Sequence, residues 1–458
     1  MYDHKRTAYS VVSVMLITSL LIISTVLLYF SGAVYSGEAE EVTRAAIMRQ
    51  TYEGSFITSD GTVLTKSDEP FVSGRINESE AESFAWLIGT EATSGLRSTM
   101  SSWLYDGSET VDHGDDVYLS IDKTLQNFAY KNILNGQEGS VIVLENKTGR
   151  ILSLASHSDA SLPELNLNQP EEFMNVCDSA EGSLYIRGIY ETDPPGSTFK
   201  IITAAAALKQ LEKKKLTKDD FEYFDEGYLE TPDGTHVITN YSGIANGSID
   251  LAGAFAVSCN TYFANLSLKT GWDALSETAA AFLVGKEIEI PFLPQLHSTF
   301  LEEDKTPSLL AMTGIGQGNL TITPLHLALI GSTVANDGTG YRPTVVDEIR
   351  TAVGKTVFRE KKEKIIRKAL SKKNCRKLRD AMHESALYYG LDEESLGTVY
   401  AKTGTAETPS GTHTYIVVFN DTWSFCISLN RGFLSSDLYE PAWQLAYLCN
   451  QLSAEGGE

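Results

Sequence analysis

The longest apolar run comes early in the chain. Val11 to Phe30 reads VVSVMLITSLLIISTVLLYF, and no charged residue falls between Thr7 and Gly37. A helix of about 20 residues rises about 30 Å, the thickness of a bilayer's hydrocarbon core. Lys5 and Arg6 precede the run; Glu38, Glu40 and Glu41 follow it. The positive-inside rule then predicts a cytoplasmic tail over 1–8, a transmembrane helix over 9–31, and everything later outside the cytoplasm. A cleaved signal peptide would have a shorter apolar region, about 7–15 residues, ending at a small-residue site. The pattern therefore predicts an uncleaved single-pass anchor, and no later stretch is long and apolar enough to span.

Residues 32–138 are mixed and polar, with turn signals such as Ser59-Asp60-Gly61, and predict a small module of short strands and a helix or two. The texture changes at Gly139. SVIVLE (140–145), a turn at NKTG (146–149) and RILSLAS (150–156) predict a hairpin. After a long irregular stretch, Pro194-Pro195-Gly196 breaks the chain and a helical run starts at Ser197 and reaches Leu208. A second helical run covers Leu251 to Leu268. GTVYAKTGTAE (397–407), THTYIVVFN (412–420) and WSFCISLN (423–430) predict three strands, and a helix over about 440–452 closes the chain. Helices mixed with an antiparallel strand group predict an α+β or α/β layered domain over 139–458.

Composition narrows the function. With 458 residues there is room for two to four domains. The balance of 37 basic against 60 acidic residues argues against nucleic acid as a partner, which takes a basic face to neutralise phosphates. Five cysteines are too sparse for a disulfide framework. There is no H-E-x-x-H and no C-x-x-C, so no metal site is signalled. One segment departs from the acidic background: Lys355 to Arg379 holds twelve basic and two acidic residues. It fits attraction to anionic lipid headgroups or an anionic wall polymer, or simply a solvated helix pair whose cations face water.

Three short motifs carry the chemistry, and context separates each from its chance repeats. S-x-x-K occurs at Ser120–Lys123 and Ser197–Lys200. Ser120 falls at a strand-to-helix junction, where Ser or Asp reads as a cap. Ser197 opens a helix, with Lys200 one turn later on the same face. The positive helix end favours negative charge on the hydroxyl. The apolar neighbours Phe199, Ile201 and Ile202 should lower the Lys200 pKa, so that a neutral amine takes the serine proton. S-x-N occurs at Ser258-Cys259-Asn260, after an apolar helical stretch, and at Ser428–Asn430 in the last strand. Beside the nucleophile, Ser258 could relay a proton and Asn260 could hold a substrate amide. Cys259 reads as a small apolar filler. K-T-G occurs at 147–149, a hairpin turn; at 269–271, a helix end with its glycine cap; and at Lys402-Thr403-Gly404, within a strand. There Gly404 permits close backbone approach and the strand edge can take an extended peptide. The Lys402 ammonium can attract a carboxylate, and the Thr405 amide, with that of Ser197, can form an oxyanion hole.

This ordered set resembles the class B penicillin-binding proteins, membrane-anchored peptidoglycan D,D-transpeptidases of the serine penicillin-recognising family. The resemblance extends to GSVIVLENKTGRILSLAS (139–156), PPGSTFK (194–200) and GIGQGNLTITPLHLA (314–328), and to the linker-like stretches 87–107 and 117–134. It implies a β-lactamase/transpeptidase-like α+β fold, an antiparallel five-stranded sheet with flanking helices, preceded by the transmembrane helix and a short N-terminal module over 32–138. It implies Ser197, Lys200, Ser258, Asn260 and Lys402 as catalytic residues and Thr403, Gly404 and Thr405 as substrate-binding ones. The expected substrates are peptidoglycan stem peptides, with β-lactams as inhibitors and no metal or organic cofactor. The expected partner is an integral-membrane glycan polymerase of the shape, elongation, division and sporulation family. A glycosyltransferase domain does not fit in the N-terminal part. The rival readings are a D,D-carboxypeptidase of the same fold and a non-catalytic division scaffold.

Overall fold

The computed structural model describes residues 51–455 apart from 71–72, 77–79, 90–94, 107–111, 158–185, 301–304, 409–410 and 431. The proposed anchor over 9–31 and Cys177 therefore lie outside the described residues.

The hairpin forms as the alternating apolar run predicts: β1 (Gly139–Glu145) pairs antiparallel with β2 (Ile151–His157). Next in the chain come α1 (Lys200–Glu212), α2 (Asn260–Thr270), α3 (Pro324–Ala335) and α4 (Lys372–Tyr388). The C-terminal strands are β3 (Tyr400–Thr408), β4 (Gly411–Phe419) and β5 (Trp423–Asn430), and α5 (Tyr439–Glu455) ends the described chain. The sheet order is β3-β4-β5-β1-β2, every pair antiparallel, with β3 at an edge. Alternate residues serve two cores. Ile142, Leu154, Tyr415, Val417 and Cys426 pack toward α1 and α3, while Val141, Val143, Ile416, Val418 and Phe425 pack toward α5. With both faces covered, these strands are almost continuously apolar. Helix α1 is buried nearly all round, from Lys200 to Leu208, as expected of a helix inside a large domain.

Three expectations need correcting. The first is the fold class: among the described residues the strands do not form one antiparallel five-stranded sheet alone. Among the described residues no helix is long and apolar enough to cross a membrane. Besides the five-stranded sheet, the described residues form a four-stranded mixed sheet and six two-stranded ones. The mixed sheet joins Phe56–Ile57, parallel to Asp116–Leu119, with the hairpin Val346–Arg350 and Thr356–Arg359. Its strands have two to five residues, and its central pairing, Asp116–Leu119 with Val346–Arg350, joins segments more than 200 positions apart, so no local periodicity announces them.

The second correction is to the helical run at 251–268. It is two helices, Leu251–Ala256 and α2, separated by a turn in which Ser258 adopts φ +53°. The third concerns the basic segment, which is not a helix pair. It consists of strands Thr356–Arg359 and Lys364–Ile366 and the start of α4. The helix buries Cys375, Leu378 and Met382 and sends Lys372 and Arg379 to Asp337, at 3.0 Å each.

Candidate active site

Ser197 lies in a 3-10 turn, Gly196–Phe199, that feeds directly into α1. In such a turn side chains at i and i+3 eclipse, which stacks Ser197 over Lys200. Ser197 is half-buried, and among the described residues its hydroxyl is committed to no hydrogen bond. Lys200 is fully buried. Its Nζ donates to the Ser258 carbonyl at 2.7 Å and to Asn260 Oδ1 at 2.7 Å, and lies 3.2 Å from Ser258 Oγ. The first two partners are pure acceptors. The third contact can run either way, because a hydroxyl both donates and accepts.

The strained turn at Ser258 explains how the second motif reaches the first. A non-glycine residue at φ +53° costs on the order of 1 kcal/mol. Two bonds hold it there, Ser258 N–H to Phe255 O at 3.1 Å and Cys259 N–H to Ala254 O at 2.9 Å. The turn sends the Ser258 side chain toward both lysines and starts α2 at Asn260. Cys259 is buried, and its Sγ caps α2 by accepting from Tyr262 N–H at 3.4 Å. Burial pushes its thiol pKa up, so it stays a thiol.

Lys402, in β3, is also fully buried. Its Nζ donates to Ser258 Oγ at 2.8 Å, to Tyr389 Oη at 3.2 Å and to the Thr403 carbonyl at 3.0 Å. It therefore points inward to the serine pair rather than out to solvent. Burial brings its pKa down to about 7. Burial, and after it the Lys402 charge, holds Lys200 well below the ordinary lysine range. One hydroxyl thus joins two amines whose burial favours their neutral forms, an unbroken path for a proton between Lys402, Ser258 and Lys200.

Close backbone approach brings β3 to the Ser197 turn. A Cβ on Gly404 would stand 2.5 Å from Pro195 O, and one on Gly316 would stand 1.8 Å from Gly196 O. Neither leaves room for a side chain. Gly196 N–H donates to Gly316 O at 3.1 Å, so the GIGQG stretch underlies the serine. Thr405 Oγ1 lies 2.8 Å from Ser435 Oγ, in the turn after β5.

The structure therefore brings Ser197, Lys200, Ser258, Asn260 and Lys402–Thr405 into one place. The rival copies lie elsewhere. Ser120 Oγ is buried and donates to Ile151 O and Thr344 O, Asp122 caps the next helix, and Gly271 ends α2. Sequence reasoning missed Tyr389. Its hydroxyl lies 3.2 Å from both Lys402 Nζ and Thr403 Oγ1, and its ring stacks on Tyr439 at 4.8 Å. It sits at the end of α4 in Tyr388-Tyr389-Gly390, with no local mark of chemistry.

Among the described residues, Glu191, Asp193 and His413 bring ligand-type atoms within 4.8 Å of one another. They have partners within the protein: His413 Nδ1 lies 2.9 Å from Asp193, and Glu191 takes Arg187 at 2.9 Å and Asn430 at 2.5 Å.

Comparison with known proteins agrees with this geometry. The penicillin-binding protein transpeptidase domain matches residues 139–425. The chain belongs to the penicillin-binding protein transpeptidase family. Its transpeptidase domain contains all three motifs. The chain is 32% identical over 307 residues to peptidoglycan D,D-transpeptidase PbpA of Mycolicibacterium smegmatis, covering 64% of this chain and 61% of that one. It is 33% identical over 253 residues to PbpA of Mycobacterium tuberculosis, covering 52% and 49%. The chain thus spans about half to three-fifths of the length of these relatives. The structure superposes on the ceftriaxone acyl-enzyme complex of M. tuberculosis penicillin-binding protein A with a TM-score of 0.76 and 25% identity, over 88% of this chain and 98% of that one. It superposes equally well, with a TM-score of 0.76 and 25% identity, on a D,D-transpeptidase domain from Eggerthella lenta, over 89% and 100%.

Proposed function

We propose that this protein is a peptidoglycan D,D-transpeptidase that crosslinks stem peptides through a Ser197 acyl-enzyme and is acylated by β-lactams. The observation that carries the reading is the buried Lys200–Ser258–Lys402 relay beside an uncommitted Ser197 hydroxyl. Ser197 Oγ attacks the penultimate D-Ala carbonyl, and neutral Lys200 accepts its proton. The amides of Ser197 and Thr405 take the oxyanion; single donors of this kind are typically worth about 10²–10³ in rate. Ser258 and Lys402 return the proton to the nitrogen of the leaving D-alanine. An amine from a neighbouring stem peptide then attacks the ester, forming the crosslink and freeing Ser197. Asn260 holds Lys200 and the donor peptide's amide, and Thr403 to Thr405 bind the peptide as an added edge strand.

The catalytic domain works outside the cytoplasm, the side on which the charge asymmetry around residues 11–30 puts it. Residues 32–138 serve as a linker to a glycan polymerase of the shape, elongation, division and sporulation family, which supplies the strands to be joined. The test is a synthetic pentapeptide ending in D-Ala-D-Ala, offered with and without an acceptor D-amino acid, with products read by mass spectrometry. Release of D-alanine with acceptor exchange is expected. Hydrolysis alone would make the protein a carboxypeptidase, and no release would sink the reading.

A further inference from the structure

Asp225 is fully buried, and the donors it accepts from carry no formal charge. They are the Gly227 and Asn246 amides at 2.9 Å each, the Thr261 hydroxyl, the Asn246 carboxamide at 2.6 Å and the Asn240 carboxamide at 2.7 Å. Burial works against this carboxylate, but the hydrogen bonds outweigh it and hold its pKa below the usual range. Such a carboxylate has to be explained, because it belongs to neither the catalytic motifs nor an ion pair.

The explanation lies in Asn240, the next link in this hydrogen-bond chain. Asn240 Nδ2 donates to Asp225, while Asn240 Oδ1 accepts from the amides of Asn260 at 2.9 Å and Thr261 at 3.1 Å. Those are the first amides of α2, which have no partner inside the helix. Asp225 offers only acceptors and the two amides offer only donors, so one carboxamide must present both faces, and its orientation is forced. Asn260 Nδ2 also donates to the carbonyl of Thr239, beside Asn240, at 2.9 Å. Asn260 Oδ1 in turn holds Lys200.

We propose that the buried Asp225–Asn240 pair is a positioning device for acylation: it anchors the start of α2 and thereby sets Asn260 and the strained Ser258 against the two lysines. The inference rests on the transpeptidase reading of the same site. Neither residue touches substrate. Both act through the 258–260 turn.

The test is the second-order rate of acylation by a fluorescent penicillin, measured on the full-length protein. Asn240→Ala deletes the acceptor and should lower the rate about tenfold or more, as loss of two partly exclusive hydrogen bonds implies. Asn240→Asp restores the acceptor but sets a second carboxylate against Asp225, so the pair must share a proton. Its rate relative to wild type should be depressed at pH 8 and recover by at least about threefold toward pH 5.5. Burial raises the pKa of neighbouring Cys259 and Tyr223, so neither ionises in that window. The Asn240→Ala ratio should stay flat. Ser197→Ala is run alongside. Wild-type rates in Asn240→Ala, or a flat Asn240→Asp ratio, would overturn the device while the serine reading stands. Labelling that survives in Ser197→Ala would remove the reading itself. Should Asn240→Ala fail to fold, the pH ratio of Asn240→Asp decides.

Discussion

Replacing Lys402 with methionine removes one cation from beside Lys200 and keeps a long unbranched side chain in the buried slot. Both Nζ atoms contact Ser258 Oγ, at 3.2 and 2.8 Å. By the triangle rule they lie within about 6 Å of each other. Two unit charges at about 6 Å interact by about 2.8 kcal/mol at an effective dielectric constant of about 20. That corresponds to up to about a hundredfold in the protonation equilibrium of Lys200. In the wild-type protein burial is the larger cause of the lowered Lys200 pKa and the Lys402 charge the second. Lys402 has a pKa of about 7, so its charge is present at pH 6 and mostly gone at pH 8.5. At pH 6 the wild-type protein therefore keeps more of its Lys200 as free base than the variant does.

The variant also loses the bonds of Lys402 to Ser258 and Tyr389, a deficit that does not depend on the charge on Lys200. The informative quantity is accordingly the ratio of variant to wild-type acylation rates, followed by fluorescent penicillin from pH 6 to 8.5. The ratio should climb across that range, by as much as about a hundredfold. A ratio that falls as pH rises would refute the claim that the Lys402 charge lowers the basicity of Lys200.

Gly404→Ala should cut acylation more than about tenfold, because the new Cβ meets the Pro195 carbonyl at 2.5 Å and pushes β3 from the nucleophile turn. Gly136→Ala, at an exposed site with φ +79° and nothing within 4 Å of a Cβ, adds backbone strain without that clash; it should lower Tm modestly and leave the rate unchanged. Tyr389→Phe removes one hydroxyl from Lys402 and Thr403 but keeps the stack on Tyr439, so acylation should fall about three- to tenfold with little change in Tm. For His413, burial disfavours the cation, but the bond and charge of Asp193 outweigh burial and raise the pKa above 6.5. A raised folded-state pKa stabilises fully below the unfolded value and is lost as pH rises through the folded one. The Tm gap between wild type and His413→Gln should thus be widest at pH 6 and shrink by pH 9; a gap that widens with pH would contradict this.

The Ser197 turn and the β3 edge were legible because their signals are local. A breaker, then Ser and Lys one turn apart, then an apolar helix lie within a few residues, and Lys402-Thr403-Gly404 stands inside a strand pattern. What was hidden depends on distant chain. LAGAFAVSCNTYFANL reads as one helix by periodicity, since nothing in Val257-Ser258 announces φ +53°. The break is imposed from outside, by Asn240 capping α2 and by the lysines that Ser258 meets. Tyr389 and Asn240 are ordinary residues in ordinary contexts until folding carries them across 13 and 20 positions of sequence to Lys402 and Asn260. The mixed sheet was missed for the same reason: strands of two to five residues take their meaning from partners far away.

On the proposed mechanism the Ser197 hydroxyl is the atom that is acylated. Intact-mass measurement after incubation with penicillin G, followed by peptide mapping, tests it directly. One penicilloyl group per chain is expected, carried on the peptide containing Ser197, and none on Ser197→Ala. An adduct on another residue, or an unchanged yield in the variant, would contradict it.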